Sequence, residues 1–173
     1  MTLNPFNFNT TPGLRFGSGQ AKDSCKEISN KLGQSILFIT DKGLMSLGLT
    51  EQTLNELKKI SSVEIFDDVE ADPSKKTLLK AIEVGKKIKA TGVIGFGGGS
   101  SMDVAKLTAL ILGSGENLEE AWGVANAKGP RLPLVLIPTT AGTGSEVTPV
   151  SIITVGEEEK KGVSSSIILP DLA

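Results

Sequence analysis

The sequence predicts an α/β domain built on a mostly parallel sheet with flanking helices. Two observations carry this expectation. Short apolar runs recur along the chain, separated by stretches whose apolar residues keep helical spacing, and strands that alternate with helices in this way pair in parallel. Two of those runs lead straight into loops rich in glycine and hydroxyl residues, 97–101 and 139–145, and ligands bind beyond the carboxyl ends of strands in open α/β sheets.

The elements follow in order. The N-terminal segment alternates loosely through Phe6, Phe8, Leu14 and Phe16, is broken by Pro5, Pro12 and Gly13, and suits a short hairpin. A helix is expected over about 21–31, then a buried strand over 35–40. Thr50 and Glu51 open the next helix, running to about Ile60, with Thr50 and Thr53 offering hydroxyls suited to capping. Residues 63–66 form the next strand. Asp72-Pro73-Ser74 then starts a helix with Asp72 as N-cap and Pro73 in its first position. Lys86, Lys87 and Lys89 lie near its end, where cations suit the dipole. The third strand, 92–96, runs into Gly97-Gly98-Gly99-Ser100-Ser101 and a nearly all-apolar helix over 102–112, which should be buried between layers. The fourth strand, 134–138, precedes Thr139-Thr140-Ala141-Gly142-Thr143-Gly144-Ser145. Two last strands, 151–155 and 163–169, flank a charged turn. The chain stops at Ala173 without a closing helix, which predicts a piece of something longer.

Composition excludes several classes. A net charge of −2 with 22% charged residues argues against a polybasic nucleic-acid surface. No run approaches the roughly 18 apolar residues of a membrane span, and the first residues lack the charged-then-apolar pattern of a signal peptide. The single cysteine, Cys25, cannot close an internal disulfide. A cytoplasmic protein is expected. The 173 residues include no histidine, so no site here can rest on the commonest side-chain metal ligand and general base.

Three features carry the chemistry. In Phe96 to Lys106, FGGGSSMDVAK, glycines at a strand-to-helix junction let the backbone approach a bulky anion, and the amides of the helix start point at it. Pyrophosphate is the natural occupant; a tight βα turn is the alternative. The string lacks the terminal Gly-Lys-Ser/Thr of a Walker A loop and the GxGxxG spacing of the common dinucleotide fold. Asp103 suits a cap or orienting group, since its charge repels phosphate. Lys106 suits an intrahelical ion pair with Asp103 or a structural role beside the glycine loop. In Pro138 to Pro149, PTTAGTGSEVTP, the hydroxyls of Thr139, Thr140, Thr143 and Ser145 reach phosphate or ribose oxygens, or else bond local backbone. Asp41, directly after a strand, either caps the Asp41-Lys42-Gly43 turn or accepts both ribose hydroxyls of an adenosine and repels a 2′-phosphate, favouring NAD over NADP. Cys25 and Trp122 suit packing roles.

GGGSSMDVAK followed about thirty residues later by PTTAGTGSEVTP resembles the paired signature of iron-containing (group III) alcohol dehydrogenases. FGSG at 16–19, ITDKG at 39–43 and VEADPS at 69–74 are similar to further landmarks of that family, in the same order. The resemblance spans nearly the whole chain. It implies a Rossmann-like, dehydroquinate synthase-like N-terminal domain, residues 1–173, that binds NAD. In full-length members this domain is paired with a helical metal-binding domain. Carried over by motif, Asp41 meets the adenosine ribose, and Gly97, Gly98, Gly99, Ser100 and Ser101 wrap the pyrophosphate. Thr139, Thr140, Thr143 and Ser145 line the nicotinamide side, the Asp72-Pro73-Ser74 turn flanks the adenine, and Lys161 reaches the cofactor from the last hairpin. The family holds a divalent metal, Fe or Zn, through one Asp and three His; Asp171 is not assigned as that Asp, and no metal ligand or catalytic residue is assigned in this chain. The expected parent reaction is hydride transfer between NAD and a primary alcohol, aldehyde or small polyol, with this chain alone inactive. The alternatives are a glycerol dehydrogenase- or dehydroquinate synthase-like fragment, or a stand-alone nucleotide-binding module. A homo-oligomer through the N-terminal segment is also implied.

Overall fold

A computed structural model describes residues 8–157 and 159–173. Four parallel strands form the main sheet: β1 (Ser35–Ile39), β2 (Ser62–Phe66), β3 (Gly92–Gly97) and β5 (Leu134–Pro138), in the order β2-β1-β3-β5. The chain leaves β1 for β2 on one side and reaches β3 on the other, so the crevice between β1 and β3 is the topological switch point. β3 is buried at every position and β1 at all but its first, as strands covered on both faces must be. Edge strand β2 alternates instead.

Two apolar layers cover the sheet. Leu37, Ile39, Val93 and Leu136 pack with Leu78 and Ile82 of α5 (Lys75–Lys87) and with Met102 and Leu107 of α6 (Gly99–Ser114). On the other face, Ile36, Phe38, Ile94 and Phe96 meet Ile28 and Leu32 of α2 (Cys25–Leu32) and Leu54 and Leu57 of α4 (Glu51–Lys58). The rings of Phe38 and Phe96 stack at 5.5 Å. The nearly all-apolar α6 lies between the main sheet and a small second sheet, in which β6 (Val150–Val155) pairs antiparallel with β7 (Glu159–Ser164), and β7 pairs parallel with β4 (Gly123–Val124). This sandwiching accounts for its uniform hydrophobicity. Gly95 lets α6 come close: a Cβ there would stand 2.7 Å from Ala105 Cβ and 2.8 Å from Leu136 Cδ2.

Several expected details differ. The first helix is broken at Ser24 into α1 (Gln20–Asp23) and α2. A short α3 (Lys42–Ser46) follows Asp41, α7 (Leu118–Ala121) precedes Trp122, and neither was expected. Thr50 caps nothing; its hydroxyl is buried and points at Met45 Sδ, 3.2 Å away. Asp72 is not the N-cap of α5. Ser74 is, its Oγ accepting from the Thr77 amide at 3.2 Å, while Asp72 takes a left-handed φ of 52°. The last strand is Glu159–Ser164, not 163–169. The Ser165 side chain starts a 3-10 turn over Ser166–Ile168, and Pro170 follows. Residues 171–173 then run along β5, with Asp171 N to Leu134 O at 2.8 Å and Leu136 N to Leu172 O at 3.0 Å. Phe6 of the expected hairpin lies outside the described residues. Residues 8–16 form no hairpin, and Gly13 and Arg15 instead bond Ala173.

The end of the chain is pinned by Arg131. It forms a bidentate pair with Asp171 at 2.7 and 2.9 Å, and its Nε donates to the Leu169 carbonyl. Burial alone would raise the Asp171 carboxyl, but bonds from Arg131 and the Leu134 amide and the charge of Arg131 together hold it below its ordinary value.

Candidate functional site

The carboxyl ends of β1, β3 and β5 converge on a cleft of about 520 Å³. Asp41 and Leu44 come from the β1 end, Gly98, Ser100 and Ser101 from the β3–α6 junction, and Thr139 and Thr140 from the β5 end. Leu47 and Val69 add an apolar wall. A second hollow of about 260 Å³ adjoins it through Ser100, lined by Asp72, Pro73, Gly99, Asp103, Ile152, Thr154 and Lys160. A larger hollow of about 720 Å³ lies between α2 and α4, but it is lined by helix side chains and offers neither a strand end nor a glycine opening.

The glycine run divides by role. Gly97 is required by the fold: its φ is 152°, and a Cβ would stand 2.7 Å from Ser101 Oγ. Gly98 meets only Thr140 Oγ1 at 3.5 Å, and around Gly99 nothing lies within 4 Å. Packing asks for glycine at neither position. What their missing side chains leave is open space at the start of α6, a helix whose N-cap, Gly98, offers no side-chain acceptor. First-turn amides lack intrahelical partners by construction. They stand beside the open space at Gly98 and Gly99, an arrangement suited to an anion with bulky substituents.

Asp41 serves the turn and faces the cleft at once. It is the N-cap of α3, with Oδ1 accepting from the Leu44 amide at 2.9 Å. Thr139 and Thr140 reach the cleft, and the Thr139 amide is fixed on the Gly97 carbonyl at 2.9 Å. Thr143 and Ser145 face elsewhere. Thr143 donates to Glu146 Oε2 at 2.9 Å, and the buried Ser145 donates to Asp103 Oδ1 at 2.7 Å. Asp103 thus holds the Ser145 hydroxyl, and its second oxygen accepts from the Ile152 amide at 3.0 Å. Burial raises its carboxyl above the ordinary value against the pull of Ser145, Ile152 and Lys106.

Lys106 makes no ion pair along its helix. It is fully buried and donates to two carbonyls, Thr148 at 2.9 Å and Val150 at 2.7 Å. Burial pushes its ammonium down to about 8, although the charges of Asp103 and Glu146 act the other way. The last hairpin presents Lys160 to the site. Lys160 lines the second hollow, with Nζ 2.5 Å from Asp72 Oδ1. Lys161 projects from the opposite face of β7, its Nζ 3.9 Å from Glu159. Lys160 was not among the expected site residues; the period-two alternation of a strand over 159–164 is what separates its face from that of Lys161. Glu70 shapes the same rim, accepting from the Ser74 amide at 2.9 Å and the Thr77 hydroxyl at 2.7 Å.

Among the described residues, no three His, Cys, Asp or Glu side chains converge to hold a metal. No described helix is long and apolar enough to cross a membrane.

The fold and cleft define an open parallel α/β domain with a glycine-lined cleft at its switch point. The chain belongs to the iron-containing alcohol dehydrogenase family, which it matches over residues 11–173. It is 36% identical to long-chain-alcohol dehydrogenase 1 of Geobacillus thermodenitrificans over 166 residues, 94% of this chain and 42% of that protein. The crystal structure of a 1,3-propanediol oxidoreductase superposes with a TM-score of 0.92 at 28% identity, covering 98% of this chain and 45% of the other. The sulfoacetaldehyde reductase of Bifidobacterium kashiwanohense, solved in complex with NAD+, superposes with a TM-score of 0.85 at 29% identity, covering 98% and 46%. The chain spans less than half the length of these relatives.

Proposed function

We propose that residues 1–173 are the NAD-binding part of an iron-type alcohol dehydrogenase, whose whole reaction moves a hydride between NAD and a primary alcohol, aldehyde or small polyol. The observation that carries this reading is the open space at Gly98 and Gly99 against an uncapped helix start. In this reading the amides of Gly98 to Ser101 hold the pyrophosphate, with hydroxyl donors from Ser100 and Ser101. Asp41 keeps its cap on α3 and accepts from the adenosine ribose, while Leu44, Leu47 and Val69 suit an apolar ring beside it. Thr139 and Thr140 reach the nicotinamide side. Lys160 and Asp72 close the second hollow, and we transfer to Lys160 the cofactor contact first expected of Lys161. Thr143 and Ser145 shape the loop through Glu146 and Asp103. NAD is favoured over NADP because a 2′-phosphate would meet the Asp41 carboxylate.

NAD supplies the hydride acceptor; this chain's residues bind it, orient it and fix its phosphates. The described residues do not fit the family's metal, so no metal-dependent step is assigned to them. The 173-residue chain is expected to bind NAD and to turn over little or no alcohol. The test mixes it with NAD, a primary alcohol and Fe²⁺ or Zn²⁺ and follows NADH absorbance. A flat trace alongside saturable NAD binding supports the proposal; metal-stimulated NADH formation overturns it.

A further inference from the structure

The outer edge of β6 is closed by two side chains of α6. In an extended strand, the N–H and C=O groups of residues 148, 150, 152 and 154 share one edge, and here that edge faces away from β7. An edge of this kind carries unpaired donors and acceptors that need partners when buried. Four of these groups have partners, three of them on charged side chains. The carbonyls of Thr148 and Val150 take the Lys106 ammonium at 2.9 and 2.7 Å. The amide of Ile152 takes the Asp103 carboxylate at 3.0 Å, and that of Thr154 takes the Pro73 carbonyl at 2.9 Å. Cation against carbonyls and anion against amide do the work of a missing neighbouring strand. Asp103 also receives the Ser145 hydroxyl at 2.7 Å.

We infer that Lys106 is a positioning residue for cofactor binding: from the body of α6 it fixes the 139–150 segment relative to the amides at the start of the same helix. The inference rests on the NAD reading above. Two consequences separate it from a merely structural role. Lys106 ties the strand that follows the 139–147 loop to α6, the helix whose start forms the Gly99–Ser101 cradle. It also offsets the charge of Asp103, which lies one turn from Gly99 and lines the second hollow. Without Lys106 that carboxylate would lose the positive charge beside it, and the segment would lose its bonds at Thr148 and Val150.

The test titrates NAD into wild type, Lys106→Met and Lys106→Arg by calorimetry, with thermal unfolding to establish the folded fraction. Folded Lys106→Met should bind NAD roughly ten- to a hundredfold more weakly, the cost of misplacing binding groups at a distance. Lys106→Arg, which keeps the cation and its donors, should recover most of the affinity. If the Met variant does not fold, Lys106→Gln, neutral and one atom too short to keep both carbonyl bonds, takes its place with the same expectation of weakened binding. Wild-type affinity in a folded Met or Gln variant overturns the inference while leaving the NAD reading intact. A wild-type chain that does not bind NAD overturns both.

Discussion

Gly95 and Gly99 lie four residues apart and should respond to the same substitution in opposite ways. At Gly95 an added methyl would stand 2.7 Å from Ala105 Cβ, 2.8 Å from Leu136 Cδ2 and 3.2 Å from the Met102 backbone. Two of those neighbours are anchored in α6, so β3 and α6 must separate. Overpacking of this kind costs about 1–3 kcal/mol, or roughly 3–10 °C of melting temperature in a domain of this size. At Gly99 nothing lies within 4 Å, and alanine is the better helix former. Gly99→Ala should therefore leave the melting temperature unchanged or slightly raised. The methyl does, however, enter the space assigned to the diphosphate. Gly99→Ala should weaken NAD binding at least tenfold, a loss of about 1.4 kcal/mol, and Gly99→Val more. Calorimetric titration and thermal unfolding of the two variants side by side check this. The reasoning fails if Gly99→Ala destabilises the chain as much as Gly95→Ala does, or if Gly99→Val binds NAD like the wild type.

Three further outcomes are expected. Asp41→Ser keeps an N-cap for α3 and removes the charge, so stability should change by about 0.5 kcal/mol or less while the preference for NAD over NADP narrows at least tenfold; unchanged discrimination in paired titrations would refute the role of Asp41. Lys160→Ala should weaken NAD binding and flatten its salt dependence, whereas Lys161→Ala should do neither, and a larger effect at Lys161 would restore the first expectation. The third concerns pH. Lys106 sits at about 8 in the fold against 10.5 when free. Between those values the unfolded chain binds the additional proton, so stability should rise with pH there, by on the order of 1–2 kcal/mol between about pH 7.5 and 9.5. Urea unfolding should show that rise in wild type and not in Lys106→Met. Asp103 and Glu146 are the charged groups that act on the Lys106 ammonium.

Periodicity made the main sheet legible. The runs 35–40, 92–96 and 134–138 are apolar because they are core strands, edge run 63–66 alternates, and the two loops stand at the carboxyl ends of β3 and β5. The misses share a cause: each is decided by tertiary partners that local pattern does not encode. β7 is polar along much of its length and becomes a strand because β6 pairs with it. Residues 169–173 are fixed by Arg131 and by the edge of β5. Asp72 and Ser74 both suit a cap by composition, and the backbone at Asp72, with its positive φ, gives the role to Ser74. Lys106 lies three residues from Asp103 on one helix, yet strand carbonyls that only the fold brings near claim its ammonium. Within the site, the motif strings named most of the cleft residues. Which of Lys160 and Lys161 lines the second hollow needed the strand register, and the separation of Gly97 from Gly98 and Gly99 needed the space around them.

Mapping amide chemical shifts of the 173-residue chain during NAD titration tests the proposed cofactor site most directly. The account predicts saturable shifts concentrated at Gly98 to Ser101, Asp41 and Thr139–Thr140, with weaker effects from an equal concentration of NADP or phosphate. An absence of saturable shifts, or shifts centred on the hollow between α2 and α4, would contradict it.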